Sequence, residues 1–290
     1  MLGEYARNLR SKFNLQGNKE KGQVDEPTKG LKVFGERNSG TQFTTQLIRK
    51  NYHCEVVPGT LHEATKGYRD EIEERVDKSI SDPASRLWAV QALMDDYFAG
   101  NLWLTLGWKH AAPDVQTIAA LPDLDNHIFV TITKNPYAWV LSMYRRPYEY
   151  LGLTQKKTLD EFIAEPWLTV RRENAPAIIQ SPVELWSIKA SAYQQLTGIC
   201  DVLHVRYEDV ISEPGEFLNR LSRKLVKRNP EFNLDIQGTK AGNEHRGLEY
   251  YQDYYLNERW RDLLNDEQIR AINQYLNPVV VRACGYEIID

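Results

Sequence analysis

The stretch from Leu31 to Arg49, LKVFGERNSGTQFTTQLIR, limits what this chain can fold into more than any other. Leu31, Val33 and Phe34 make a short apolar strand, and Gly35 and Gly40 bracket a turn. From Ser39 or Thr41 onward, Phe43, Leu47 and Ile48 recur at helical spacing. A helix that starts at such a turn leaves its first backbone N–H groups unpaired and carries partial positive charge there, which suits a phosphate or sulfate oxyanion. The glycines have Walker A spacing, but Thr41 and Gln42 stand where that motif needs a lysine and then a serine or threonine. Without the lysine that reaches the outer phosphates and the hydroxyl that holds magnesium, a triphosphate is poorly served. Arg37, the hydroxyls of Ser39 and Thr41, and the run of amides through Gln42 suit a nucleotide with a shorter phosphate-based 5′ end and no obligatory metal. The same residues also describe a strand-turn-helix corner closed by capping hydroxyls, with no ligand at all.

A length of 290 residues allows one large α/β domain or two small ones. The chain is 42% hydrophobic and 26% charged, with a net charge of -4, so it can build a substantial core and lacks the basic excess of a general nucleic-acid binder. No window approaches the run of about 18 apolar residues that a membrane span needs. The opening MLGEYARNLRSKFNLQG has no apolar signal core. Cys54, Cys200 and Cys284 are far apart and show no metal-ligand spacing. These features read as a cytoplasmic protein with reduced thiols, no integral membrane segment, no metal site and no nucleic-acid partner.

Residues 1–30 read as a flexible lead-in and 31–290 as a single domain. A second short strand is expected from His53 to Val57, then a helical insertion over 67–100 with its clearest periodicity from Arg86 to Phe98. Asn101 to Trp108 alternates like a strand and delivers Lys109 and His110. His127 to Thr133 is β-branched and nearly all apolar, as a central parallel strand should be. Pro136 and Pro182 each open a helix, Asp201 to Arg206 forms a strand, and a last helix is expected from Asp266 to Val281. The alternation predicts an α/β fold with a central parallel sheet flanked by helices. Ligands of such sheets sit beyond the carboxyl ends of the strands. The segments expected there are Gly35 to Thr41, Lys109 and His110, Lys134 to Ser142, and Tyr207 to Asp209; most are cationic or rich in donors, which points to a dianionic nucleotide.

Four segments in order carry a family resemblance: Arg37-Asn38-Ser39-Gly40-Thr41, Lys109-His110-Ala111-Ala112-Pro113, Lys134-Asn135-Pro136 with Ser142, and Tyr207-Glu208-Asp209. The chain resembles the sulfotransferases that use 3′-phosphoadenosine 5′-phosphosulfate (PAPS), a superfamily of P-loop-like fold. Its cytosolic members carry K-S-G-T, K-T-H-x-P, R-N-P-x-x-x-x-x-S and Y-E-D segments in that order. Arg246-Gly247 and Gly285-Tyr286 weakly echo the family's end.

The resemblance implies that Arg37, Asn38, Ser39, Gly40, Thr41 and Gln42 hold the 5′-phosphosulfate. Lys134 and Ser142 would hold the 3′-phosphate, with Arg246 and Gly247 on the nucleotide from a lid over 238–247. His110 is the implied base, with His62 and Glu63 as competitors, and Lys109 and Arg37 are the implied catalytic cations. Two departures stand out. Asn38 occupies the place of the family's catalytic lysine, shifting the cation to Arg37, and Lys134 replaces the arginine at the 3′-phosphate, keeping the charge but losing the bidentate fork. The product would be adenosine 3′,5′-bisphosphate (PAP), and the acceptor a hydroxyl-bearing small molecule or glycan, lined by residues 59–100 and 145–182. Trp139, Tyr193 or Tyr207 could meet the adenine, while Glu208 and Asp209 read as structural. The basic pairs Arg145-Arg146, Arg171-Arg172 and Lys227-Arg228 read mainly as solvated faces, the first also within reach of an anionic acceptor. The competing readings are a P-loop kinase-like phosphotransferase and a nucleotide- or glycan-binding protein of the same fold without catalysis.

Overall fold

In the computed structural model the described residues are 28–65, 68–147, 157–235 and 247–290. Four strands form the central sheet: β1 (Gly30–Gly35), β2 (Glu55–Val56), β3 (His127–Thr133) and β4 (Val202–Arg206). Their order is β2-β1-β3-β4 and every pairing is parallel, with Gly30 opposite His127 and Gly35 opposite Ile132. All of β3 is buried, which explains its unbroken apolar run: a parallel strand covered on both faces has no polar side to show.

Helices cover the sheet. The ones that matter for the site are α1 (Thr41–Asn51), α2 (Pro83–Gly100), α3 (Pro136–Arg145), α4 (Pro182–Gln194) and α5 (Leu248–Leu256). Proline opens α2, α3 and α4, and the side chains of Asp82, Asn135 and Ser181 accept hydrogen bonds from their first turns. The expected α/β architecture is the observed one, and β1 and β3 lead directly into α1 and α3.

Three local expectations need correction. Residues 101–108 do not form a strand. Leu102–Thr105 is a helical turn, and left-handed Leu106 (φ 53°) and Gly107 (φ 87°) end it. The carbonyls of Thr105 and Gly107 turn onto the ammonium of Lys32, at 2.5 and 2.6 Å, so a buried cation takes acceptors that a ladder would use. The stretch from His53 to Val57 is divided: Tyr52–His53 pairs antiparallel with Val226–Lys227, while Glu55–Val56 joins the central sheet. The last helix is two, Asp266–Tyr275 and Pro278–Ala283, because the residue before a proline is held out of the helical region; Leu276 and Asn277 are extended, and Asn277 caps the second helix.

Candidate functional site

The loop between β1 and α1 is held from below and from the side. The carboxylate of Glu36 accepts the Arg37 amide at 2.6 Å, and the Ser39 amide donates to the Glu36 carbonyl at 3.1 Å. The indole N–H of Trp139, in α3, donates to the Arg37 carbonyl at 2.9 Å. Asn38 (φ 65°) and Gly40 (φ 85°) take the left-handed conformation that lets the chain double back into α1. At Gly40 a Cβ would also lie 2.2 Å from Cδ2 of Tyr207, so only glycine fits between the loop and that ring. Trp139 and Tyr193, the aromatics also considered for an adenine, are enclosed in the core and do not line the cavity described below. Ser39 is buried and does not line the cavity described below.

Although residues 101–108 are not a strand, Lys109 and His110 still arrive beside β1. The Lys109 amide donates to Gly59 O and its carbonyl accepts from Gly35 N, both at 2.9 Å. His110 Nδ1 is 2.7 Å from the carbonyl oxygen of Gly35. A carbonyl only accepts, so Nδ1 carries the proton and Nε2 the lone pair. Burial holds the imidazole pKa well below its ordinary value, and the charge of Lys109 adds to that, only partly opposed by the Gly35 bond; the ring is neutral at pH 7. Burial also lowers the Lys109 pKa, with Glu63 opposing.

The competing bases are placed elsewhere. Glu63 Oε2 accepts the amides of Gly59 (2.9 Å) and Thr60 (3.1 Å). Burial raises its pKa, but those bonds and the nearby Lys109 and Arg49 outweigh it, leaving the carboxyl below its ordinary value and poorly basic. His62 is exposed, and neither residue lines the cavity.

At the end of β3, Lys134 is 4% exposed and its ammonium donates to the Tyr255 hydroxyl at 2.9 Å. The rings of Tyr207 and Tyr255 flank it, with centroids 4.6 and 4.2 Å away. Asn135 caps α3, and its own amide is taken at 2.9 Å by Glu208, whose other oxygen accepts from the Tyr286 hydroxyl at 2.8 Å. Asp209 is paired with Arg206 through two hydrogen bonds, 2.6 and 2.9 Å. Glu208 and Asp209 are therefore structural, as expected, and Glu208 ties the C-terminal Gly285-Tyr286 segment to the turn that presents Lys134.

These segments open on one cavity of about 670 Å³. Arg37, Asn38, Gly40, Thr41 and Gln42 line it from the loop, Lys109 and His110 from beside β1, and Lys134 and Ser142 from β3 and α3. Five of its lining side chains are cations, Arg37, Lys109, Lys134, Arg145 and Arg146, and among the described residues none is an aspartate or glutamate. In a chain of net charge -4 that local excess of cations makes the cavity electrostatically suited to an anion. Among the described residues, none of 59–100 lines the cavity, and of 145–182 only Arg145 and Arg146 do. Arg146 is thus at the cavity rather than on a merely solvated face. Arg172 departs further, being buried and paired with Asp95 at 2.6 Å.

The side of the cavity that sequence reading missed is α5, which contributes Tyr250, Tyr251, Tyr254 and Tyr255. The signal was the repeat YYQDYY, in which each tyrosine recurs four residues on and so shares a helix face. Tyr250 stacks on Tyr254 and Tyr251 on Tyr255, and Arg145 donates to the Tyr254 hydroxyl at 3.2 Å. Gly247 is the exposed residue just before α5 and does not line the cavity; Arg246 and the rest of the expected lid lie outside the described residues. Beneath the loop, Lys189 of α4 is fully buried between the carboxylates of Glu36 and Glu173.

Among the described residues no group of three or more His, Cys, Asp and Glu side chains is arranged to hold a metal ion, and no helix is long and apolar enough to cross a membrane. Neither protein-family models nor curated proteins give a match. Among solved structures the chain is similar to a sulfotransferase domain from the curacin biosynthetic pathway, with 13% identity over 92% of this chain and 100% of that one, and a TM-score of 0.42.

Proposed function

We propose that the cavity binds PAPS and that the chain transfers its sulfuryl group to a hydroxyl of a polar acceptor, such as a glycan, releasing PAP. One observation carries this reading: a single cavity, free of carboxylates among its described lining residues, collects a glycine-bounded loop without a Walker lysine, the cations at the ends of β1 and β3, and a histidine whose Nε2 is basic.

In this reading Lys134 and Ser142 hold the 3′-phosphate, and the loop amides with Thr41 and Gln42 hold the 5′ end. PAPS supplies an activated sulfuryl group on a good leaving phosphate. As the acceptor oxygen forms its bond to sulfur, its proton passes to His110 Nε2. The bond from sulfur to the bridging oxygen breaks, and its electron pair stays on the phosphate of PAP. Lys109 and Arg37 offset the charge that grows on the transferring group and the bridging oxygen, and their enclosure strengthens the effect. Asn38, at the family's lysine position, adds a neutral donor from the same loop. His110 is suited to the base role because burial and its cationic neighbours keep it unprotonated until a substrate proton arrives with the anionic donor.

The test is incubation of the purified chain with radiolabelled PAPS and a panel of sugar and polyol acceptors, without magnesium. Label transferred to an acceptor with release of PAP is the expected result. Tight PAP binding with no turnover on any acceptor would instead favour the non-catalytic reading, for which Asn38 is the specific hint. Magnesium-dependent turnover of ATP would favour the phosphotransferase.

A further inference from the structure

We infer that Tyr255 is a direct ligand of the donor's 3′-phosphate and the residue that sets this chain's preference for a 3′-phosphorylated nucleotide. The inference rests on the PAPS reading of the cavity and deepens it with a residue that neither the motif segments nor the family resemblance supplied.

Lys134 and Ser142 lie eight positions apart across the β3 to α3 turn, and both line the cavity that Tyr255 lines. The ammonium of Lys134 donates to the Tyr255 hydroxyl at 2.9 Å, and Ser142 lines the same cavity as that phenol. Ser142 in turn donates to the Ala138 carbonyl at 2.9 Å. Tyr255 is 9% exposed yet lines the cavity, so its hydroxyl stands at the ammonium expected to hold the phosphate, in a cavity that Ser142 shares.

The phenol is held there firmly. Its ring packs edge-on against Tyr207 at 5.2 Å and stacks on Tyr251, while Gln252 of the same helix donates to the Ile211 carbonyl at 2.7 Å. A phosphate dianion has three terminal oxygens to satisfy. The guanidinium of an arginine offers a planar fork of donors, whereas the lysine here is a compact point charge. A phenolic O–H beside that charge supplies the second fixed donor that the lysine lacks. When a phosphate enters, Lys134 and Tyr255 exchange the bond between them for bonds to its oxygens. The alternative is that Tyr255 only packs and neutralises Lys134, in which case it has no reason to distinguish a 3′-phosphate.

Calorimetric titration of the full chain and of Tyr255→Phe with PAP and with adenosine 5′-phosphate separates the two. The wild type is expected to prefer PAP. Tyr255→Phe should lose about tenfold in PAP affinity, the scale of one hydrogen bond to a charged group, with adenosine 5′-phosphate changed by less than about twofold. Adding Lys134→Arg to Tyr255→Phe should recover much of the loss, because the guanidinium restores the missing donor. A loss shared equally by both nucleotides, no loss at all, or a double variant no better than the single one overturns the role of Tyr255. A wild type with no preference for PAP overturns the PAPS reading itself, and the inference with it.

Discussion

His110 Nδ1 lies 2.7 Å from the carbonyl oxygen of Gly35, so the first glycine of the anion loop decides which imidazole nitrogen is basic. One backbone carbonyl thereby links the proposed 5′ end of the donor site to the atom proposed to accept the acceptor's proton. His110→Ala should abolish transfer while PAP affinity stays within about twofold, because the imidazole contributes basicity rather than charge at neutral pH. Parallel loss of transfer and PAP binding would make His110 structural.

The depressed pKa of His110 has a definite sign in pH dependence. Protonation penalises the folded state, so its contribution to stability is complete above the unfolded value near 6.5 and is lost as the pH falls from there through the depressed folded value. In kcat/KM, which reports the free protein, the acid limb should lie clearly below pH 6.5. A profile between about pH 4 and 8 checks this, and a limb at or above the ordinary histidine value would contradict the burial account.

Lys134 carries its charge to the end of β3 enclosed by two tyrosine rings. Lys134→Ala should weaken PAP by about tenfold or more and adenosine 5′-phosphate far less, since a charged hydrogen bond to the 3′-phosphate is worth about 1.5–3 kcal/mol. Equal weakening in calorimetry would remove Lys134 from the 3′-phosphate.

Lys189 is buried between Glu36 and Glu173, and Glu36 in turn holds the Arg37 amide. Lys189→Met should cost about 3–5 kcal/mol in urea unfolding, because it leaves buried carboxylates without a counter-charge. Glu36→Gln in the same chain should recover part of that loss. Burial raises the Glu36 carboxyl from 4.5 to about 7, with Lys189 opposing. A raised acid contributes stability below its unfolded value and loses it as the pH rises through the folded one. The stability of the wild type relative to Glu36→Gln should therefore fall as the pH rises from about 4.5 to about 7.

At Gly40 the left-handed φ of 85° and the Tyr207 ring act together. Gly40→Ala should destabilise the chain by about 1–3 kcal/mol through backbone strain and the clash with that ring. Nucleotide affinity should drop with it, because the loop amides must move. A variant with wild-type thermal midpoint and PAP affinity would show that the loop does not need its left-handed turn.

Much of this arrangement is legible in the residues themselves. The unbroken apolar run at 127–133 marks a central parallel strand, and proline at 136 and 182 marks helix starts, because burial on both faces and the proline ring leave few alternatives. The ends of β1 and β3 then place Arg37 and Lys134 on one side of the sheet. Residues 101–108 misled because alternation also fits a helical turn once a buried Lys32, remote in sequence, claims its carbonyls. The tyrosine face of α5 was hidden for a different reason: nothing local connects YYQDYY to the cavity, and its place there depends on contact with Lys134, 121 residues earlier. Glu36, Lys189 and Glu173 are ordinary charged residues in sequence and become a buried cluster only through tertiary packing.

The first experiment is calorimetric titration of the purified chain with PAP, beside adenosine 5′-phosphate and ATP with magnesium. Binding of about -8 kcal/mol, in the micromolar range and confined to PAP, is the predicted result. Preference for ATP with magnesium, or no binding of PAP, would contradict the assignment of this cavity to a 3′-phosphoadenosine donor.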